Sequence, residues 1–375
     1  MIYEHTGTPI HAMSPLCKLV WMKENQNALF RSAAKFISIK EYIWYKLFHS
    51  FQIDHSLASA TGLMDIENLS WSENAMDIAS VSDQQLSALV STDFSRTDVV
   101  ADIATLLGVA HDTRIIIGAS DGCLANLGSF ATQPGVAALT IGTSGAVRVA
   151  STKPVHHFGS MIFNYRLDKE TFICGGPSNN GGAALKWFIE KFLARTLETA
   201  DDYDTVLKNI SDSTPGADGL IFLPYLFGER APVWNSDASA AFFGIRGRHT
   251  QADFTRAVVE GISMAVYDIA DHITLAGLPI DRVHVSGGFV RSSAWLQILA
   301  DIFNKPIGLV YADDASATGA AYLGLKTIGA LDNYVKLRPD IIKEFSPQPD
   351  FTERYRHQLQ RYRAIYKNLQ PLMVP

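Results

Sequence analysis

Cysteine is scarce in this sequence. Cys17, Cys123 and Cys174 are odd in number and widely spaced, which argues against a disulfide framework and for a reducing, cytosolic setting. An excess of basic charge is also missing. Lys and Arg total 32 against 38 Asp and Glu, giving a net charge of −6 and a pI near 6.0, so a non-specific nucleic-acid binder is excluded. The longest uncharged stretch, 122–147, contains Asn126, Gln133, Pro134 and five glycines. It reads as turns between short buried elements and not as a membrane span. The first fifteen residues, with Glu4, Gly7 and Pro9, lack the apolar core of a secretory signal. No tandem repeat at solenoid periods occurs. No GxxxxGK[ST] motif occurs either, so phosphate handling of the P-loop kind is not expected. His156 and His157 have no Cys, Asp or Glu at ligand spacing and read as a surface loop pair; no metal ligands are assigned.

What remains is an ordinary globular composition, 47% hydrophobic and 19% charged, with length for two or three domains. Apolar periodicity predicts a helix over 33–48, carried by Phe36, Ile37, Ile43, Leu47 and Phe48. A short extended stretch at 51–54, a turn at 59–62 and a helix over 98–109 follow. The β-branched run 114–119 suits a parallel strand buried on both faces. Residues 135–150 read as strand, tight turn, strand, and 163–174 as a hairpin around Asp168-Lys169. Helices are expected from Gly182, over 253–276 and over 294–303, with a strand at 281–286. The last thirty residues hold a basic, Tyr-rich helix expected to pack across the surface. Strands alternating with helices indicate an α/β protein with a largely parallel sheet. The order in the second half fits a ribonuclease-H-like domain. The expected divisions are 1–130, 131–330 and a C-terminal helical extension, 331–375.

Several stretches carry chemistry. Asp121, in RIIIGASDGCLANLG (114–128), lies just past the carboxyl end of a strand, where ligands bind in open α/β sheets. A carboxylate there can take the proton of a substrate hydroxyl as it attacks phosphorus. Asp is equally a favoured N-cap for the helix that follows, and local sequence leaves both readings open. TIGTSGAVR (140–148) presents backbone N–H groups and hydroxyls to an anion, or is a plain glycine hairpin. In VSGGFVRSSAWLQILADIF (285–303), Gly287 and Gly288 would let a flat ring or phosphate approach the backbone, with Ser292 or Ser293 capping the helix. GGPSNNGGAALKWF (175–188) has the same character. Glu229-Arg230 reads as a structural ion pair, and Met13 and Trp21 as pocket or core residues.

Taken in order, these stretches resemble the FGGY carbohydrate kinase family. MSPLCKLVWMKEN (13–25) resembles its first signature, with Lys18 and Trp21 at the family's spacing and Met22 where Leu or Phe is usual. AAFFGIRGRHTQADFTRAVVE (240–260) resembles the second, through Gly244, Asp253-Phe254 and Ala257 to Glu260. With ASATGAAYLG (315–324) the resemblance covers 3–324. Within the family, KFISIKEYIWYKLF (35–48), SATGL (59–63), GASDGCLANLG (118–128) and TIGTSGAVR are most similar to gluconate kinases. The resemblance implies two actin-like domains, each a mixed sheet flanked by helices, closing over a cleft. It implies Asp121 as catalytic base, Gly142 and Thr143 on the phosphates of ATP, and Gly182, Gly288 and Ser292 around the nucleotide. Met13, with Asp121, would face the substrate.

The implied reaction moves the γ-phosphoryl of ATP to a terminal hydroxyl of D-gluconate, with Mg²⁺ bridging the phosphates. Xylulose or glycerol kinase activity, or a non-catalytic nucleotide-binding remnant, are the alternatives. Family members open with a DxGTT-type strand-turn-strand ahead of the stretch resembling Tyr3-Glu-His-Thr-Gly7. Met1 and Ile2 directly precede that stretch here, so an incomplete first domain and impaired activity of the chain alone are expected. A homodimer is the expectation from the usual run of soluble proteins.

Overall fold

The computed structural model describes residues 2–311 and 314–373. The chain forms two compact units, each assembled from three stretches. The first comprises Met1–Gly128, Ala150–Cys174 and Asp314–Leu337; the second comprises Ser129–Val149, Gly175–Asp313 and Arg338–Pro375.

The first unit is built of helices and short strands. Its Pro15–Asn25 helix begins where the Ser14 side chain accepts the Cys17 N–H, with Pro15 in the first turn, where its missing donor costs nothing. That helix buries Leu16 and Leu19 against Phe30, Leu63 and Ala75. The helix expected over 33–48 is shorter, Ile39–Phe48. A capping box sets its start: Ser38 Oγ accepts the Glu41 N–H (3.3 Å) and the Glu41 carboxylate accepts the Ser38 N–H (2.7 Å). Phe36 and Ile37 therefore precede the helix, and local capping outweighs the apolar period. Strand Gln52–Asp54 runs parallel to Ala88–Val90.

The expected parallel strand at 114–119 is instead the short piece Ile115–Ile116, half-buried and antiparallel to Ser95–Arg96. Gly118 at φ +72° turns the chain out of the ladder, and the Ile117 and Gly118 N–H groups go to the carbonyls of Phe94 and Thr92. The Asp121–Gly128 helix then packs on Ala315–Thr327 around Cys123, Leu127 and Leu323. Two glycines make this approach possible. A Cβ on Gly128 would lie 1.9 Å from the Ala315 carbonyl oxygen, and one on Gly319 would lie 1.9 Å from that of Leu124.

The second unit centres on a mixed sheet whose strands include, in order, Ile341–Phe345, Ile307–Val310, Ile280–Ser286, Gly135–Ile141, Gly145–Ser151 and Phe172–Ser178. Ile280–Ser286 is parallel to both of its neighbours, with Val285 opposite Leu139 on one side and Leu309 on the other. Gly135–Ile141 and Gly145–Ser151 form an antiparallel hairpin. The Gln251–Leu275 helix starts at a second capping box, Thr250 with Asp253, and buries Val258, Ile262, Ile269 and Ile273. Gly244 sits at φ +87°, a conformation that favours glycine, and a Cβ there would lie 3.1 Å from the Gly219 carbonyl oxygen. The C-terminal Pro349–Leu369 helix does more than lie on the surface. Tyr355 and Tyr362 are buried, the Tyr355 hydroxyl donating to Glu260 (2.7 Å) and that of Tyr362 to Tyr225 (2.8 Å). No described helix is long and apolar enough to cross a membrane.

Candidate functional site

In the second unit the parallel strands Gly135–Ile141 and Ile280–Ser286 end side by side, their hydroxyls Thr140 Oγ1 and Ser286 Oγ 3.2 Å apart. Carboxyl ends of adjacent parallel strands are where α/β sheets hold ligands. A cavity of about 730 Å³ opens there, and Gly142, Thr143, Gly182, Gly288 and Ser292 all line it. That volume lies within the usual range for a small-molecule site. These five residues come from three separate turns, each following a strand of the sheet.

The turns are locked together by backbone bonds. Gly142 N–H donates to the Ser144 carbonyl (2.9 Å). The N–H groups of Gly182 and Ala183, opening the Gly182–Trp187 helix, donate to the carbonyls of Gly142 (2.6 Å) and Thr143 (3.1 Å). Those helix-terminal donors therefore hold the turn and are not aimed at a ligand. Thr143 is left exposed at the tip.

The glycines divide into two kinds. A Cβ on Gly182 would sit 2.8 Å from the Gly142 carbonyl oxygen, and one on Gly287, at φ +109°, would sit 2.6 Å from that of Ile141. Both are demanded by packing. A Cβ on Gly142 or Gly288 meets nothing within 4 Å. Gly142 and Gly288 present bare backbone to the cavity, as close approach of a ring or phosphate requires. Ser292 both lines the cavity and caps the Ser293–Phe303 helix, accepting the Trp295 N–H (3.3 Å).

Reading the sequence missed the walls. Trp187, Phe289, Trp295 and Leu207 supply apolar surface, and Lys186 and Arg291 supply positive charge. Arg291 also pairs with Asp201 (2.8 Å) and Asp204 (2.9 Å) of the Ala200–Lys208 helix. Phe289 follows directly on the paired glycines, and that adjacency was a usable signal. The Ala200–Lys208 helix offered none.

Asp121 and Met13 belong to the first unit. Asp121 is the first residue of its helix, exposed, with its carboxylate accepting the Gly122 N–H (2.8 Å). The cap position falls to Ser120, whose hydroxyl faces the Cys123 N–H (3.5 Å) and whose carbonyl accepts the Leu124 N–H (3.0 Å). Capping therefore leaves the Asp121 carboxylate at the helix start and open to solvent. Met13 is 57% exposed in the loop before the Pro15–Asn25 helix, and Trp21 is 56% exposed on that helix. Glu229 is buried and structural. It accepts from Ser178 Oγ and the N–H groups of Asn179 (both 2.8 Å) and Arg230 (2.7 Å), and burial pushes its pKa up against those bonds. Its bond to Arg230 thus runs through the backbone. Among the described residues no group of three or more His, Cys, Asp or Glu forms a metal site.

Comparison with known proteins identifies the family. Residues 1–128 match the N-terminal domain, and residues 137–328 the C-terminal domain, of the FGGY family of carbohydrate kinases. A gluconokinase of Bacillus subtilis is 40% identical over 364 residues, 95% of this chain and 71% of that protein. The crystal structure of gluconate kinase from Lactobacillus acidophilus aligns with a TM-score of 0.91 at 32% identity, covering 98% of this chain and 74% of that one. Ligand-bound xylulose kinase from the same organism aligns at 0.92 and 32%, covering 98% and 75%.

Proposed function

The chain belongs to the FGGY family of carbohydrate kinases, with that family's two-domain, actin-like fold, and on that premise we propose that it phosphorylates D-gluconate with ATP to give 6-phosphogluconate. The observation that carries the substrate is the 40% identity to a gluconokinase across 95% of the chain, against 29% for the xylulose kinase of Staphylococcus epidermidis.

In this reading the second unit's cavity holds ATP. Gly288 and the apolar wall of Trp187 and Phe289 receive the base, and Gly142 with the Thr143 hydroxyl meets the phosphates. Asp121 takes the proton from the terminal hydroxyl of gluconate as that oxygen bonds to the γ-phosphorus and ADP leaves. Met13 borders the sugar. Mg²⁺, when bound with the nucleotide, offsets the negative charge of the phosphates.

Xylulose is the second reading, favoured by the xylulose kinase structure at a TM-score of 0.92. The test is ATP-dependent ADP release with gluconate, xylulose and glycerol in parallel. The expected outcome is turnover with gluconate well above the other two. Preference for xylulose or glycerol reassigns the substrate. ATP binding without turnover on any of the three makes the chain a nucleotide-binding protein and not a kinase.

A further inference from the structure

We propose that Ser56, Lys40 and Asp54 are positioning residues for Asp121, fixing the backbone that carries it. The inference rests on the reading of Asp121 as the base. The Asp121 carboxylate is exposed and bonded to the neighbouring Gly122 N–H, so its placement is set by the backbone that enters its helix. Two side-chain systems grip the two residues just before it. Ser56, fully buried, donates its hydroxyl to Ser120 Oγ (2.9 Å) and accepts the Ser120 N–H (3.0 Å). Ser120 in turn faces the Cys123 N–H of the Asp121 helix (3.5 Å). One residue earlier, Lys40 Nζ donates to the Ala119 carbonyl (3.2 Å).

Both systems trace back to Asp54, which is 0% exposed. Its Oδ2 holds Lys40 at 2.6 Å, and its Oδ1 accepts the Leu57 N–H (2.9 Å), capping the His55–Ser59 helix that presents Ser56. Lys40 itself stands in the first turn of the helix started by the Ser38–Glu41 box. A stretch of sequence far from Asp121 thus places two hydrogen-bonding groups on its approach. The Asp54 carboxylate is buried and the Lys40 side chain is 32% exposed, so desolvation offsets part of the pair's attraction and leaves room for a purpose besides stability. Holding a reacting group in place is such a purpose, since a misplacement of about 1 Å costs roughly 10²-fold in rate.

Lys40→Gln would strand a buried carboxylate and risk unfolding. Ser56→Ala removes no charge and is the primary variant, with Lys40→Arg as the conservative companion. Amide hydrogen exchange of the full chain should quicken roughly fivefold at 119–124 in Ser56→Ala and remain unchanged elsewhere. For gluconate phosphorylation, kcat should fall by roughly 10- to 10²-fold while the KM values for ATP and gluconate hold. Lys40→Arg should retain most of the rate. In an Asp121→Asn background, Ser56→Ala should cost nothing further, because the two act as one unit. Unchanged exchange at 119–124, or an equal loss of rate with and without Asp121, overturns the inference whatever the fate of the base assignment. Full activity in Asp121→Asn alone overturns the base, and with it the reason to position it. The exchange arm needs no turnover.

Discussion

Gly182 and Gly288 look alike in the sequence, each in a glycine-rich turn that opens into a helix, and the fold separates them. A side chain on Gly182 collides with the Gly142 carbonyl, whereas one on Gly288 points into open space at the cavity. Gly182→Val should therefore destabilise the second unit by about 1–3 kcal/mol, the usual cost of overpacking. Gly288→Val should leave the melting temperature alone and weaken ATP binding roughly tenfold or more, about 1.4 kcal/mol of lost contact. Calorimetric titration of both variants with ATP and with gluconate checks this. If Gly288→Val loses gluconate and keeps ATP, the cavity has been given the wrong ligand. Asp121 follows the same logic. Ser120 takes the cap position, and Asp121 is exposed, so Asp121→Asn should scarcely move the melting temperature. Its kcat should nevertheless fall by roughly 10²–10⁴-fold if it is the base. A variant with normal kcat removes Asp121 from the chemistry. None of these distinctions is visible in a string of letters, because each depends on which carbonyl or cavity faces the position.

The elements show where sequence reasoning succeeds and why it stops. The hairpin at 135–151, the helix at 251–275 and the strand at 280–286 were legible, since each is long, periodic and bounded by its own turn or cap. The start of the Ile39–Phe48 helix was also written locally, in Ser38 and Glu41, but apolar spacing from Phe36 masked it. The run at 114–119 misled because β-branched residues state a preference for extended backbone without naming a partner. The role of Gly319 lay furthest from view. ASATGAAYLG stood out by resemblance alone, and its physical meaning is the carbonyl of Leu124 on another helix. Gly319→Ala places a methyl 1.9 Å from that oxygen, so the two helices must part. A loss of about 1–3 kcal/mol or more is expected. Because Asp121 opens the helix being pushed, kcat should fall as well, by more than in an equally destabilising substitution elsewhere in the unit. A matched pair, Gly319→Ala and Leu16→Val, compared for melting temperature and kcat, decides the point. Equal activity in the two would show that the helix contact supports the fold without steering the carboxylate.

At the scale of the whole molecule, each unit carries a histidine drawn out of water, half-buried His55 in the first and buried His284 in the second, and both bear on how the protein meets acid. His55 in the first unit and His284 in the second both have pKa values held below the ordinary 6.5, burial being the main cause in each. For His55 the nearby Asp54 pulls the other way, and for His284 the bond from Nδ1 to the Ser129 carbonyl (2.9 Å) does so. A neutral His284 donates through Nδ1–H there, so its proton already has a partner. The sign follows from proton counting. In the unfolded chain these imidazoles take up protons as pH falls through about 6.5, while the folded chain resists until lower pH. Their contribution to stability is thus fully present above pH 6.5 and drains away below it. Asp168, paired with Lys326 at 2.8 Å, has its pKa lowered by that partner despite burial, so its loss falls below about pH 3.8. Burial instead raises the pKa values of Glu229, Glu260, Asp268 and Asp301, which therefore favour the folded form as pH falls and oppose the histidines. The histidine contribution to the melting temperature should hold between pH 8 and 7 and drain away between 6.5 and 5, by roughly 2–4 °C for each kcal/mol lost. His284→Asn keeps a donor for the Ser129 carbonyl but cannot take up a proton. It should melt lower than the unmodified chain at pH 7.5 and lose less on acidification. Differential scanning fluorimetry across pH 5 to 8 on both proteins measures the two slopes. Parallel slopes would place the acid sensitivity of the second unit in some group other than His284.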